Sequence, residues 1–308
     1  TGCLTREFKQ TACDAAPEDG DGPAELSLLE RAALAAGRFA NERPLPKRLQ
    51  TAFLRHVSYA WVSRVMSRRL LVDGLRELYD LQPERGILMV SNHRSFFDQW
   101  TLMLGQWMSP VKWGSRLYFP VRSNFFYDNP AGMLVNFAIG GGAMYPPIYR
   151  QTARRELNDD ALDRAIALLR EPGALVGVHP EGRRGKGPDP YQFLPAQPGV
   201  GKIALLSQAT IIPAFINGLT NDVLGDIRRT YDPHARRTHP VIAVMGQPLD
   251  ISDLIAAGKP RPTLYKKTAD RCMAAIAALS VRERELRAAC AAGDIADDDG
   301  RWADNLRS

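Results

Sequence analysis

The chain reads as an α/β protein, a largely parallel sheet flanked by helices, with a helical N-terminal segment ahead of it. Three observations predict this. From residue 70 onward, short β-branched apolar runs alternate with longer stretches of helical spacing. The 308 residues are 45% hydrophobic and 24% charged, which excludes a disordered or fibrous chain and supports one sizeable core. Before the first strand lies a basic, aromatic stretch with helical character.

The elements follow in order. Residues 1–22 are polar and acidic, ending Pro17-Glu18-Asp19-Gly20-Asp21-Gly22, and predict a flexible tail. Residues 23–72 predict the N-terminal helical segment. Within it, Ala24–Ala40 has helical spacing, Asn41–Pro46 reads as a proline-bearing linker, and a basic helix follows. Residues 73–293 predict the body of the α/β domain. Strands are expected at Leu70–Val72, Gly86–Ser91, Ala174–Val178, Thr210–Ile216 and Pro240–Met245. Helices are expected at Phe96–Met108, Phe125–Ala138, Thr152–Leu169, Val200–Ser207 and Thr263–Ala291. Residues 294–308, acidic and then ending in Arg301-Trp302, predict a fraying C-terminal tail.

Charge is placed unevenly. The net charge is +6, yet Arg43–Val72 holds seven basic residues and no acid, so the rest of the chain sums to −1. The basic residues are Arg43, Lys47, Arg48, Arg55, Arg64, Arg68 and Arg69, interleaved with Phe53, Tyr59 and Trp61. Such a helix fits a bilayer surface, where cations meet anionic headgroups and apolar side chains enter the boundary region. It fits equally a helix docked on the protein with a solvated basic face. Arg64 and Arg68 fall on the side begun by Leu49, Phe53 and Val57, which blurs the wheel. Mean hydropathy of −0.25 excludes a polytopic membrane protein. The longest uncharged run, Asn129–Tyr149, is broken by Asn136, Gly140–Gly142 and Pro146-Pro147 and does not read as a span. Four cysteines without a C-x-x-C fit a reducing compartment and no metal cluster.

Two motifs carry chemistry. Asn92-His93-Arg94-Ser95-Phe96-Phe97-Asp98 follows an apolar strand, at the strand end where open α/β sheets hold ligands. Asp98 can orient one nitrogen of His93 while the other takes a proton, provided His93 lies in the loop and Asp98 in the first helical turn. The bland reading makes Asn92 or Ser95 a helix cap and His93 a satisfied polar residue. His179-Pro180-Glu181-Gly182-Arg183-Arg184-Gly185-Lys186 follows a second strand. If the two strands are parallel neighbours, both motifs face one crevice. Glycines allow close backbone approach, and Arg183, Arg184 and Lys186 suit a phosphate. Glu181 would stay ionised there, ordering the arginines or meeting a hydroxyl. A basic surface turn is the bland alternative.

Taken with the apolar run ending at Arg150 and the Pro213-interrupted strand Thr210–Ile216, these blocks resemble the glycerolipid acyltransferase family, typified by lysophosphatidic acid acyltransferases. The resemblance spans about Gly86 to Ile216. It implies His93 as base with Asp98 as partner. It implies Arg150, Glu181, Gly182, Arg183 and Arg184 at the substrate-binding positions. The chain departs from the pattern at His179, Arg183 and Gly185, where the family has Phe, Thr and Ser. Those departures touch the acceptor block and leave the His–Asp pair intact.

The expected function is therefore a membrane-associated O-acyltransferase of phospholipid biosynthesis. It would move a fatty acyl group from acyl-CoA or acyl-carrier protein to a glycerol-phosphate-type acceptor such as lysophosphatidic acid. A thiol leaving group, with a pKa of about 8.5, needs little help from an acid, so a His–Asp base suffices without a metal or other cofactor. The absence of a G-x-S-x-G elbow favours direct transfer. Another lipid alcohol, or a non-catalytic lipid-binding role, is the alternative. Expected partners are an anionic membrane surface, the thioester donor and a phosphorylated lipid, with no nucleic acid. The expected location is peripheral or monotopic on the cytoplasmic face.

Overall fold

The computed structural model describes residues 25–149, 151–220 and 222–306. The proposed tail at 1–22 and Arg150 lie outside the described residues. Six strands form the main sheet: β1 (Leu70–Asp73), β2 (Ile87–Ser91), β3 (Arg116–Tyr118), β6 (Ala174–Val178), β7 (Thr210–Asn217) and β8 (Val241–Met245). Two short strands, β4 (Val121–Arg122) and β5 (Pro147–Ile148), pair with each other. The main sheet runs β1-β8-β7-β2-β6-β3. Among the described strands, the β7–β8 pairing alone is antiparallel; β1 runs with β8, and β3, β6, β2 and β7 run together. All five strands expected from sequence are present, and the sheet is largely parallel.

Side chains alternate across the sheet with period two, so each strand feeds two cores. Ile212, Ala214 and Ile216 of β7 face one core, while Ile211 and Phe215 face the other. The first core is completed by Val62, Val65 and Met66 of α3 (Tyr59–Met66) and by Trp100, Leu102, Met103 and Leu104 of α4 (Asp98–Met108). The second is completed by α5 (Arg155–Leu169), α6 (Pro198–Ser207) and the long α8 (Pro262–Ala292). Helices thus cover both faces, as the buried strands require. Trp100–Met108 is accordingly a core helix, with Trp107 and Met108 only half-buried. Helix α7 (Val223–Thr230) has no counterpart in the sequence reading, nor do the short helices Ala235–Thr238 and Ser252–Ala256.

The N-terminal segment departs from expectation in two ways. First, the linker at Asn41–Pro46 is reduced to one extended residue. Helix α1 (Leu28–Glu42) opens on a Ser27/Glu30 capping box, and α2 (Pro44–Phe53) restarts immediately after Arg43. Proline is tolerated in a first helical turn because that turn's N–H groups have no intrahelical partner. Second, the basic helix is not uniformly solvated. Lys47 is buried, donating to Asn41 Oδ1 (3.0 Å), Gln50 Oε1 (2.5 Å) and the Leu117 carbonyl (2.6 Å). Arg69 is fully buried against Asp226 at 2.7 Å. Arg43, Arg48, Arg55, Arg64 and Arg68 remain exposed. The helix winds through a π-helical turn at Leu54–Ser58 before α3.

The C-terminal segment also differs from the fraying tail expected of it. Trp302, Ala303 and Leu306 are buried, and Trp302 makes an antiparallel bridge to Leu71. The buried indole, with Ala303 and Leu306 beside it, contributes the apolar burial that helps hold this segment against the sheet edge. No helix among the described residues is long and apolar enough to cross a membrane.

Candidate active site

Strands β2 and β6 are parallel neighbours with Val90 opposite Val178. Their carboxyl ends therefore deliver Asn92-His93 and His179 to the same place. The loop after β2 is held by its own side chains. Asn92 acts as a strand residue in miniature: its Nδ2 donates to the Ile216 carbonyl and its Oδ1 accepts from the Ile216 N–H, both at 2.8 Å. It thus anchors the loop to β7 and is not a helix cap. Ser95 Oγ donates to the Thr220 carbonyl at 2.9 Å.

Asp98 is the first residue of α4, while His93 stays in the loop, as the spacing required. Asp98 Oδ2 lies 3.1 Å from His93 Nδ1 and also accepts from the N–H groups of Arg94 (2.7 Å) and Ser95 (2.8 Å). A carboxylate facing Nδ1 places the proton there and the lone pair on Nε2. Asp98 is buried, and desolvation pushes its carboxyl up to about 6 despite the nearby His179 and the two amides.

The second motif also braces the first. Its glutamate holds the first motif in place. Glu181 Oε1 accepts from the His93 N–H and Oε2 from the Leu194 N–H, both at 2.9 Å. Its buried carboxyl is pushed upward by desolvation, opposed by those amides and by Arg94. Gly182, at φ +66°, closes the turn with its N–H on the His179 carbonyl. The Gly185 N–H donates to the His93 carbonyl at 2.8 Å, a second tie between the motifs. Arg184 is half-buried and near enough to Asp98 to favour its charge, whereas Arg183 is exposed. Of the residues expected at the site, His93, Asp98, Glu181, Gly182 and Arg184 are thus brought together.

His179 was legible only as a departure from a motif. In space its ring stacks on that of His93, with centroids 3.8 Å apart and planes within 5°. Its Nδ1 lies 3.1 Å from the Ser91 carbonyl, which can only accept, so Nδ1 carries the proton. Its Nε2 then accepts from Gln99 Nε2 at 3.2 Å. Burial and the neighbouring His93 push His179 down to about 3, so it is neutral near pH 7.

His93, Asp98 and His179 bring ligand-type atoms within 4.8 Å of one another. A cation must lie in the plane of each imidazole that binds it, and two stacked parallel rings share no such point. Both ring nitrogens of His179 are also already engaged. The trio fits a hydrogen-bonded proton-handling unit and not a metal site.

No curated protein matches the chain in sequence. Among solved structures, the 1-acyl-sn-glycerophosphate (LPA) acyltransferase PlsC from Thermotoga maritima is similar over 82% of this chain and 88% of its own, at 18% identity and a TM-score of 0.45. The model of the acyltransferase family matches residues 69–217, the stretch that holds β1 to β7 and both motifs. That match, just under half of the chain, marks residues 69–217 as an acyltransferase domain and supports an acyltransferase enzyme.

Proposed function

We propose that the chain acylates a hydroxyl of a phosphorylated glycerolipid, such as lysophosphatidic acid, from acyl-CoA or acyl-carrier protein. The observation that carries this is the His93–Asp98 pair held beside a basic, glycine-bearing turn. His93 Nε2 takes the acceptor's proton as its oxygen attacks the thioester carbonyl. The tetrahedral adduct collapses, the carbon–sulfur bond breaks, and the imidazolium returns the proton to the departing sulfur. Asp98 steadies the imidazolium and stays ionised throughout. No covalent acyl-enzyme and no cofactor are needed. Arg184, and Arg150 by its place in the motif order, serve the acceptor's phosphate.

A second reading has its own support. At Gly185 an added Cβ would sit 3.0 Å from Arg94 Nη1, so glycine there lets Arg94 pack against the turn. Arg94 then donates to the Gly187 carbonyl at 2.5 Å. With Arg183 exposed beside it, this more cationic block suits a larger or more anionic lipid alcohol. A panel of lysolipids, glycolipids and glycerol phosphate, incubated with acyl-CoA and read by released thiol and product mass, separates the two. His93→Ala should lower turnover about 10²–10⁴-fold. Full activity in that variant, or no acylation of any acceptor by the wild type, would sink the proposal.

The protein docks peripherally on an anionic bilayer, in this reading the cytoplasmic leaflet. Exposed Leu45, Leu49 and Val57 alternate with exposed Arg48 and Arg55, which supports it. Replacing Arg48, Arg55 and Arg64 by Glu should release the protein from phosphatidylserine vesicles in sedimentation, while Arg69 must be left as a buried residue. Unchanged sedimentation would place the docking surface elsewhere.

A further inference from the structure

We propose that His179 is a positioning residue that fixes the ring plane of His93. This rests on the reading of His93 as the base. The Asp98 contact defines a single axis, Nδ1 to Oδ2, and the His93 ring can roll about that axis while keeping the hydrogen bond. A roll swings Nε2 away from the acceptor hydroxyl. Stacking on His179 at 3.8 Å removes that freedom.

The platform is itself held firmly. Each nitrogen of His179 has a partner, the Ser91 carbonyl on one side and the Gln99 amide on the other. Gln99 reaches it because residue 177 is glycine: a Cβ there would collide with Gln99 Oε1. That oxygen is buried with no hydrogen-bond partner, so the amide is oriented by its bond to His179. Ser91 and Gln99 flank the two catalytic-motif ends, one closing β2 and the other following Asp98. A neutral ring also suits the moment of proton transfer, because its π face can stack on the imidazolium that His93 becomes. A phenylalanine would offer a face but no pins.

The test uses the full chain with oleoyl-CoA and lysophosphatidic acid, read by released thiol. His179→Ala should lower kcat about 10–100-fold while both KM values stay within about twofold, since only orientation is lost. His179→Phe should recover kcat to within about threefold of wild type, as the flat face returns. Gln99→Leu, which loosens one pin, should cost kcat about threefold even if His179→Ala fails to fold. In a His93→Ala background none of these changes should lower the residual rate further. Wild-type kcat in His179→Ala or Gln99→Leu, or an equal loss in the His93→Ala background, overturns the proposal. Wild-type activity in His93→Ala would instead overturn the base reading itself.

Discussion

Asp98 and Asp226 are both buried carboxylates, and they are satisfied in opposite ways. Asp226 accepts from the Arg69 guanidinium (2.7 Å), from Arg229 (3.2 Å), and from the N–H and hydroxyl of Thr220. Arg69 in turn donates to Thr230 and to the carbonyls of Gly218 and His239. The buried carboxylate there is shared by two guanidiniums, and the assembly locks the end of the N-terminal helices to α7. Asp98 accepts from two neutral amides and from an imidazole that changes charge. A matched buried charge makes a joint; a carboxylate held mainly by neutral donors keeps its response to protons.

The contrast can be broken in two places. The largest effect should come from Arg69→Met, which removes the fully buried guanidinium from Asp226 and leaves it only the half-buried Arg229. Urea denaturation should show a loss of about 3–5 kcal/mol. A loss below about 1 kcal/mol would mean the pair is not the joint described. Asp98→Asn should act in the reverse sense on stability. The Asp98 carboxyl titrates near 6 in the folded chain against an ordinary 3.8, so its ionised form is costly when folded. Above pH 6 the Asn variant should be more stable by about 1–3 kcal/mol, and the gain should fade as pH drops from 6 towards 4. Its turnover should nonetheless fall about 10²-fold, and wild-type turnover should decline as pH falls through about 6. An Asn variant less stable at pH 8 than the parent would contradict the assignment of Asp98 as a costly ion.

Much of the fold and the core of the site were legible in the sequence, and the rest was hidden for identifiable reasons. The long apolar strands were read correctly because periodicity and punctuation agree within them. β3 was missed because Arg116–Tyr118 is too short to show a period. The helix expected at Phe125–Ala138 is broken into Ser123–Phe126, Pro130–Leu134 and the π-helical Val135–Ile139, with Asn129 capping the turn that Pro130 opens. Lys47 and Arg69 looked like surface charge because their partners, Leu117 and Asp226, are distant in sequence. The His93–Asp98 pair lies within one loop and so could be read from spacing. The His93–His179 stack depends on the alignment of Val90 with Val178 across two strands, which no local pattern encodes. For the same reason Glu181 looked like a ligand residue, when its oxygens hold the backbone of His93.

The bridge between Trp302 and Leu71 has a further consequence. β1 and β3 are the two outer strands of the sheet, and an open outer strand invites pairing with another molecule. Residues 301 and 302 occupy the backbone of β1, where the Val72 N–H meets the Arg301 carbonyl at 2.8 Å. At the other margin, the Lys47 ammonium takes the carbonyl of Leu117 in β3. Neither guard lies within residues 69–217, and β8, which separates β1 from β7, lies beyond that stretch too. The segments flanking residues 69–217 therefore serve as selvedges, keeping an open sheet from joining itself to its neighbours.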